Sequence, residues 1–398
     1  MAGSRTGAPV RPFRRRVFYI PGYDPFPPRR YRELYRRESA RQARLSGYRL
    51  AVAGEGGQGW RVEAEIEGRP VEASVEVLVW SDLVQASMRQ GIAATYGQLL
   101  RTAWTYLRDG TLLRLARLRR GPAIAALYPF LVLIGELALA LAVAAGGGWL
   151  ASTVAGPAGW LVAPPLVWSV LQIARRADGR IYAWYLIHDY AYGARDRGAY
   201  PPELAERLGV WRDQVAAALD TDADEVLVVG HSTGAHLAVS VLAGLPRVAP
   251  GRSLGLLTLG QVVPMIAFLP GAARLRGDLA RLARRDDLTW VDVTAPGDGC
   301  AYALCDPVAV SGVAPADQRW PLLVSAAFSQ TMGEAEWRRL RRRWFRLHFQ
   351  YLCAFERPGA HDYFRITAGP QTLAERFAGV APSPGRIRRP ANPYRDVA

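Results

Sequence analysis

Apolar positions along the chain fall into three regimes. The first consists of runs of strand length: Val17–Ile20, Tyr48–Val52, Trp60–Ile66 and Val71–Trp80. Pro21-Gly22 ends the first run, and the glycine-rich stretch Gly54–Gly59 supplies a turn between the second and third. Arg29–Ser46 reads as a charged surface helix, with Tyr31, Leu34 and Tyr35 as its apolar stripe. Leu83–Arg120 continues as amphipathic helix and closes in a basic run of Arg114, Arg117, Arg119 and Arg120.

The second regime is a block of different character. From Gly121 to Ala174 the only charged residue is Glu136. At roughly 20 residues per crossing, the block is too long for one membrane span and suits two. The tract Ala145-Gly146-Gly147-Gly148 predicts a turn, and so a helical hairpin with spans near Ala123–Ala145 and Trp149–Ile173. Arginines, Arg175 and Arg176 among them, lie outside both ends, and the turn has none. By the positive-inside rule both flanks then lie on the cytoplasmic side of an inner membrane. Pro157, Pro164 and Pro165 leave a buried or re-entrant hairpin as the alternative. Glu136 is costly in lipid and is expected to face the other helix or a protein-lined cavity. The glycines and neighbouring alanines also permit close helix packing, and with it a homo-oligomer. The aromatic segment Ile181–Ala191 suits a membrane interface or a core, with His188 structural.

The third regime alternates strand and helix: Glu225–Val229, Ala235–Leu245, Ser253–Leu259, Ala272–Arg284 and Leu288–Thr294, then the less regular Trp320–Ala327 and Arg342–His348. Such alternation predicts an α/β fold with a mostly parallel sheet and helices on both faces. The expected organisation is one discontinuous α/β domain, residues 17–82 and 192–381. A helical insertion at 83–191 carries the hairpin, and 382–398 forms an extended tail rich in proline and arginine.

Composition narrows the partners. The net charge of +15 comes from arginine alone, since the chain has no lysine. It favours anionic surfaces, either lipid headgroups or nucleic acid. No zinc-finger spacing, RNP pattern or basic region with heptads accompanies it, so a lipid bilayer is the expected partner and nucleic acid is not. Cys300, Cys305 and Cys353 are too few for a disulfide framework and read as reduced thiols. The N-terminal arginines Arg5, Arg11, Arg14, Arg15 and Arg16 run into an apolar stretch too short for an export signal. No dinucleotide fingerprint, Walker lysine or clustered metal-ligand set is present, so no cofactor and no metal is expected.

The sharpest chemical signal is Gly230-His231-Ser232-Thr233-Gly234, a G-x-S-x-G pattern directly after an apolar strand and before a helix. In that context the serine occupies a tight turn. The glycines two residues to either side relieve clashes, and a helix N-terminus beside the serine favours developing negative charge.

On this motif and its context the chain resembles the α/β-hydrolase family, over the early strands and about Asp222 to Gly369. The hairpin lies outside the resemblance. The resemblance implies a serine nucleophile, an acid and a histidine in that chain order. Ser232 is then the nucleophile. His361, in the loop after Pro358-Gly359-Ala360, is the expected base, with His348 second. Asp298, in the loop beyond Leu288–Thr294, is the expected acid, with Asp306 its rival. The oxyanion donors implied are the amides of Thr233 and Tyr23. The latter stands in a Pro21-Gly22-Tyr23 loop that resembles the family's His-Gly loop with proline for histidine. The implied activity is cleavage of an ester or thioester, of a lipid-like acyl substrate, through an acyl-enzyme. Acyl transfer by the same residues, or a non-enzymatic membrane scaffold on a relic fold, are the alternatives.

Overall fold

The computed structural model describes residues 11–54 and 57–398. Arg5 of the basic N-terminal cluster and residues 55 and 56 of the Gly54–Gly59 turn lie outside them. The chain divides into two compact units. One runs to Val84 and resumes at Ala199; the other is Gln85–Gly198.

The first unit is an α/β layer structure built on an eight-stranded mixed sheet. Its strands are β1 (Phe13–Ile20), β2 (Arg49–Gly54), β3 (Gly59–Ile66), β4 (Arg69–Val77), β5 (Glu225–His231), β6 (Leu254–Leu259), β7 (Thr289–Thr294) and β8 (Leu322–Ser325). They lie in the order β2-β3-β4-β1-β5-β6-β7-β8. The pairs β2/β3 and β3/β4 are antiparallel, and every later pair is parallel. Burial follows this layout. β2, at the edge, has no buried residue, whereas all seven residues of β5 are buried, as expected of a parallel strand covered on both faces.

On one face, Val17, Tyr19, Leu227, Val229, Leu257 and Val291 form a core with Tyr31 and Tyr35 of the helix Arg29–Ser46. That helix ends at Gly47, whose positive φ of 71° lets its amide return to the Ala43 carbonyl. It is more than a surface helix with an apolar stripe, because Glu38 and Gln42 are buried as well. Gln42 exchanges two hydrogen bonds with the Phe355 backbone, at 2.7 and 3.0 Å, and so pegs a late loop in place. The helix Gly234–Ala243 packs on β5 and β6, between the helices Pro202–Leu219 and Ala273–Leu282.

A buried ion pair joins the two central strands. Arg15 and Glu225 are register partners, and Arg15 Nε lies 2.6 Å from Glu225 Oε2 with both side chains sequestered from solvent. Arg15 also donates to the carbonyls of Gly369 and Gln371, and Glu225 accepts from the Leu373 amide. The remaining donors and acceptors of the pair are thus met by one late segment.

Two segments of this unit are defined more closely by the structure than by the sequence. The less regular run Arg342–His348 is helical over Trp344–His348, and a 3-10 turn follows at Gln350–Leu352. The tail beyond 382 is extended but docked. Ile387 bridges Cys305, Asn392 is buried, and Asp396 pairs with the buried Arg276 at 2.8 Å. Its arginine-rich composition hid a few anchoring groups that reach buried partners.

The second unit is helical: Ile92–Arg108, Thr111–Leu118, Arg120–Ala155, Ala163–Ile181 and Ala183–Ala194. Here the expected break at Ala145–Gly148 is absent. The helix continues through the glycines to Ala155, and the chain turns over Gly156–Val162. Glycine permits flexibility but does not impose a break when the i→i−4 ladder is satisfied. Gly156, at a φ of 58° and followed by Pro157, ends the helix. Gly147 and Gly148 instead provide close approach, since a side chain at Gly147 would overlap Leu166 and one at Gly148 would overlap Trp160, whereas Gly146 faces open space. Glu136 faces protein as expected, accepting a 2.9 Å hydrogen bond from Trp184 Nε1.

Removing one partner of the Arg15–Glu225 pair should be costly, because the other charge stays buried. Glu225→Ala should lower the unfolding free energy by about 3–5 kcal/mol. Adding Arg15→Met should return part of that loss. Chemical denaturation across the double-mutant cycle measures both. A single variant within about 0.5 kcal/mol of the parent would contradict the role assigned to the pair.

Candidate active site

Three strand ends converge on the site. Ser232 follows β5 with φ of 57°, a left-handed conformation that non-glycine residues rarely adopt. The turn is braced from both sides. The Ser232 amide donates to Leu259 O at 2.9 Å, and the Ser232 carbonyl accepts from Ala235 N at 3.1 Å. A Cβ on Gly234 would overlap the Ile20 carbonyl and sit 2.6 Å from that of Pro21. A Cβ on Gly230 would sit 2.8 Å from Ala235 Cα. Both glycines are therefore required by contact, as the G-x-S-x-G spacing implies. The loop after β1 comes equally close: a Cβ on Gly22 would stand 3.1 Å from Ser232 Cβ and 3.5 Å from its Oγ. Trp80 Nε1 holds that loop by donating to the Pro21 carbonyl at 3.1 Å, and Tyr23 packs edge-on against Trp80.

Asp298 lies in the loop beyond β7 and is buried. Burial pushes its carboxyl up in pKa, but the charge and hydrogen bond of His348 outweigh this, helped by the Cys300 amide and the Tyr351 hydroxyl, and the net shift is downward. Ionised Asp298 can only accept. His348 Nδ1 therefore carries the proton and donates to Asp298 Oδ2 at 2.7 Å. Tyr351 Oη donates to the same oxygen at 3.0 Å, and the Cys300 amide donates to Oδ1 at 2.9 Å. His348 Nε2 is buried without a hydrogen-bond partner.

His348 sits beside the elbow. Its ring centroid is 4.9 Å from that of His231, and His231 Nε2 donates to the His348 carbonyl at 3.0 Å. Gly260, at φ of 55° after β6, leaves room for it: a Cβ there would meet His348 Cε1 at 3.0 Å and Tyr351 Cε2 at 2.7 Å.

The other expected residues are placed differently. His361 Nε2 donates to the Tyr351 carbonyl at 2.9 Å, and no hydrogen bond joins His361 to Asp298 or Asp306. Asp306 caps the helix Pro307–Val310, accepting from the Val308 and Ala309 amides, and also holds Gln318 and Arg388. The structure thus joins Asp298, His348 and Tyr351 in one hydrogen-bonded cluster and sets the Gly22 loop against Ser232, with no hydrogen bond from Ser232 to His348, and it leaves His361 and Asp306 in other hydrogen-bond sets. Tyr351, Gly260 and the positioning contact of His231 were not read from the sequence. The only available signal was the three-residue spacing of His348 and Tyr351.

Asp298, Cys300 and His348 also bring ligand-type atoms within 4.8 Å of one another. Their donor chemistry fits a hydrogen-bonded pair better than a metal. Asp298 and His348 Nδ1 already satisfy each other, and burial together with the Asp298 charge raises the Cys300 thiol far above its usual pKa, keeping it protonated. No family model, curated protein or solved structure matches this chain.

Three buried histidines make the sheet unit sensitive to acid. Burial lowers His231 and His236 to about 3 and His361 to about 4. In the unfolded chain each titrates near 6.5. Their folded values are depressed, so stability is full above that pH and falls as pH drops toward 4, while only the unfolded state gains protons. The expected slope is about 1.4 kcal/mol per pH unit for each histidine. His236→Gln should remove about one third of the three-histidine contribution in denaturation curves taken between pH 4.5 and 6. An unchanged slope would refute the assignment.

Proposed function

We propose that the protein is a membrane-anchored serine hydrolase of α/β-hydrolase type that cleaves an ester or thioester of a lipid-like acyl substrate. The carrying observation is the Asp298–His348 pair, with one ring nitrogen held and the other unpartnered, packed against His231 of the strand–helix turn in which Ser232 has a positive φ. Ser232 is the nucleophile. His348, rather than His361, is the base, and Asp298 orients it and stabilises the imidazolium. The amides of Thr233 and Tyr23 are the oxyanion donors. The reaction begins with Ser232 Oγ attacking the acyl carbonyl while His348 Nε2 takes its proton. As the tetrahedral intermediate collapses, that proton passes to the departing alcohol or thiol. Water, deprotonated by the same nitrogen, then releases the acid from the acyl-enzyme.

Two further features support the reading. Ser232, Gly22 and Asp298 follow the carboxyl ends of β5, β1 and β7, the edge at which parallel sheets carry their ligands. The second unit contains one helical stretch, Arg120–Ile181, long and apolar enough to cross a membrane, and little of its most apolar window is buried. An anchored enzyme meets a lipid-like substrate by lateral diffusion. Arginines outside the apolar block favour the cytoplasmic side for the catalytic unit.

A fluorophosphonate probe tests the chemistry. Ser232→Ala should abolish labelling in a folded protein. Asp298→Asn should lower kcat on acyl esters by about four orders of magnitude, as in other triads. His348→Ala should do at least as much harm, whereas His361→Gln should retain kcat within about tenfold. A crippled His361→Gln beside an active His348→Ala would reverse the choice of base.

A further inference from the structure

Resting on the membrane reading above, we infer that residues 85–198 form a monotopic anchor. A helical hairpin enters the bilayer from one face without emerging at the other, and an amphipathic helix lies in the headgroup layer of the same face.

The hairpin geometry sets the depth. Ala163–Ile181 runs antiparallel to Arg120–Ala155. Near the tip Leu166 abuts Gly147, and at the other end Tyr128 Oη donates to the Ile181 carbonyl at 2.8 Å. The return leg becomes charged early, at Arg175, Arg176, Asp178 and Arg180. The first of these charges, Arg175, stands level with Glu136 on the first leg. Trp184 bridges the two, donating to Glu136 at 2.9 Å with the Arg175 guanidinium 6.0 Å from its ring. Glu136, Arg175 and Trp184 therefore mark a collar around the hairpin.

Beyond the collar, residues 137–174 carry no charge. At 1.5 Å per residue the first leg extends about 28 Å from Glu136 to Ala155, and the return leg about 18 Å from Ala163 to the collar. The hydrocarbon core is about 30 Å thick, and the bilayer with its headgroups about 40–45 Å. With charges of the return leg held at the near interface, the tip ends inside the far leaflet. Two full crossings would need the charged half of the return leg in hydrocarbon. The tip surface is apolar and exposed, with Trp149, Leu150, Val154, Leu161 and Trp168 all outward, and Leu161 is 77% exposed.

The amphipathic helix lies at the collar. In Ile92–Arg108, Tyr96 Oη donates to the Leu133 carbonyl at 2.9 Å, and Leu99 joins the cluster of Leu133, Trp184 and Ile187. Its outer face shows Leu100, Trp104 and Leu107 at i, i+4 and i+7, an exposed apolar stripe. Arg101 and Arg108 flank that stripe, and the helix Thr111–Leu118 adds Arg114 and Arg117. An apolar stripe bordered by arginine is the chemistry of an interfacial helix on anionic lipid.

The test uses the full chain with its three cysteines replaced by serine, reconstituted in sealed vesicles of phosphatidylethanolamine and phosphatidylglycerol. Single cysteines are placed at Leu161, Leu107 and Arg197. Arg197→Cys should react with an impermeant maleimide from one face. Leu161→Cys should react from neither face until detergent is added, and a spin label on it should be relaxed by oxygen but not by a water-soluble nickel chelate. A label at Leu107→Cys should report headgroup depth. Reaction of Leu161→Cys from the face opposite Arg197→Cys would establish crossing and overturn the inference while leaving membrane anchoring intact. Reaction of Leu161→Cys from the same face as Arg197→Cys would place the tip in water and also overturn it. Release of the protein by carbonate would instead defeat the anchoring reading itself.

Discussion

The pairing of β1 with β5 is the constraint on which the rest of the sheet unit depends. The two strands are more than 200 residues apart in sequence, yet they register from Arg15↔Glu225 to Ile20↔Gly230. The buried Arg15–Glu225 pair stands at the amino end of that register. At the carboxyl end the same register delivers Gly22 against Ser232. A slip of one residue would reverse the faces of β1 and turn Val17 and Tyr19 out of their core. It would also break the ion pair and withdraw the Gly22 loop from the serine. A buried charge pair is weak evidence for net stability, but it penalises every register that separates its members.

The same pairing constrains the inserted unit. β4 precedes residues 85–198, β5 follows them, and both are hydrogen-bonded to β1. Both ends of the insertion are thus tethered to one sheet and must share one side of any membrane. One crossing is forbidden by topology, which leaves an even number or none. Glycine placement within the helices agrees with a tightly folded hairpin. Gly159 could not carry a side chain without overlapping the backbone of Ala151 and Ser152, so the turn closes directly on the preceding helix.

Much of this was legible in the sequence because the relevant physics is local. The helix Arg29–Ser46 was readable from its stripe, and the β5 elbow from five consecutive residues whose spacing a strand–turn–helix junction requires. Partners chosen by tertiary packing were not legible. His361, in a loop, had the expected position along the chain, whereas His348, in an apolar run, stood second. What separates them is a hydrogen bond to a residue fifty positions away and a glycine after β6 that makes room for the ring. The glycine tract at 146–148 misled for a related reason. Glycine marks either a break or a close approach, and only the neighbour, Leu166 or Trp160, decides which. The docking of the extended tail was not legible because composition describes the average residue, whereas Asn392 and Asp396 anchor it individually.

Backbone strain at Ser232 is one of two local costs that the fold carries around the elbow. A serine at positive φ costs on the order of 1–3 kcal/mol and persists only where its surroundings over-determine it. Here they do so through two backbone hydrogen bonds and three glycines whose missing side chains let β1, β5 and the helix Gly234–Ala243 converge. A fold needing only a strand-to-helix connection could relax that turn at no cost to its core. This one instead spends buried polar groups nearby as well. Asp298 is held by three donors, and His348 is left with an unpartnered nitrogen in a buried position. Strain and an unsatisfied polar atom each lower stability. Both costs fall at the same elbow, since His348 packs on His231, and such local violations are expected where a fold gives up packing for function, as the proposed hydrolase site would require.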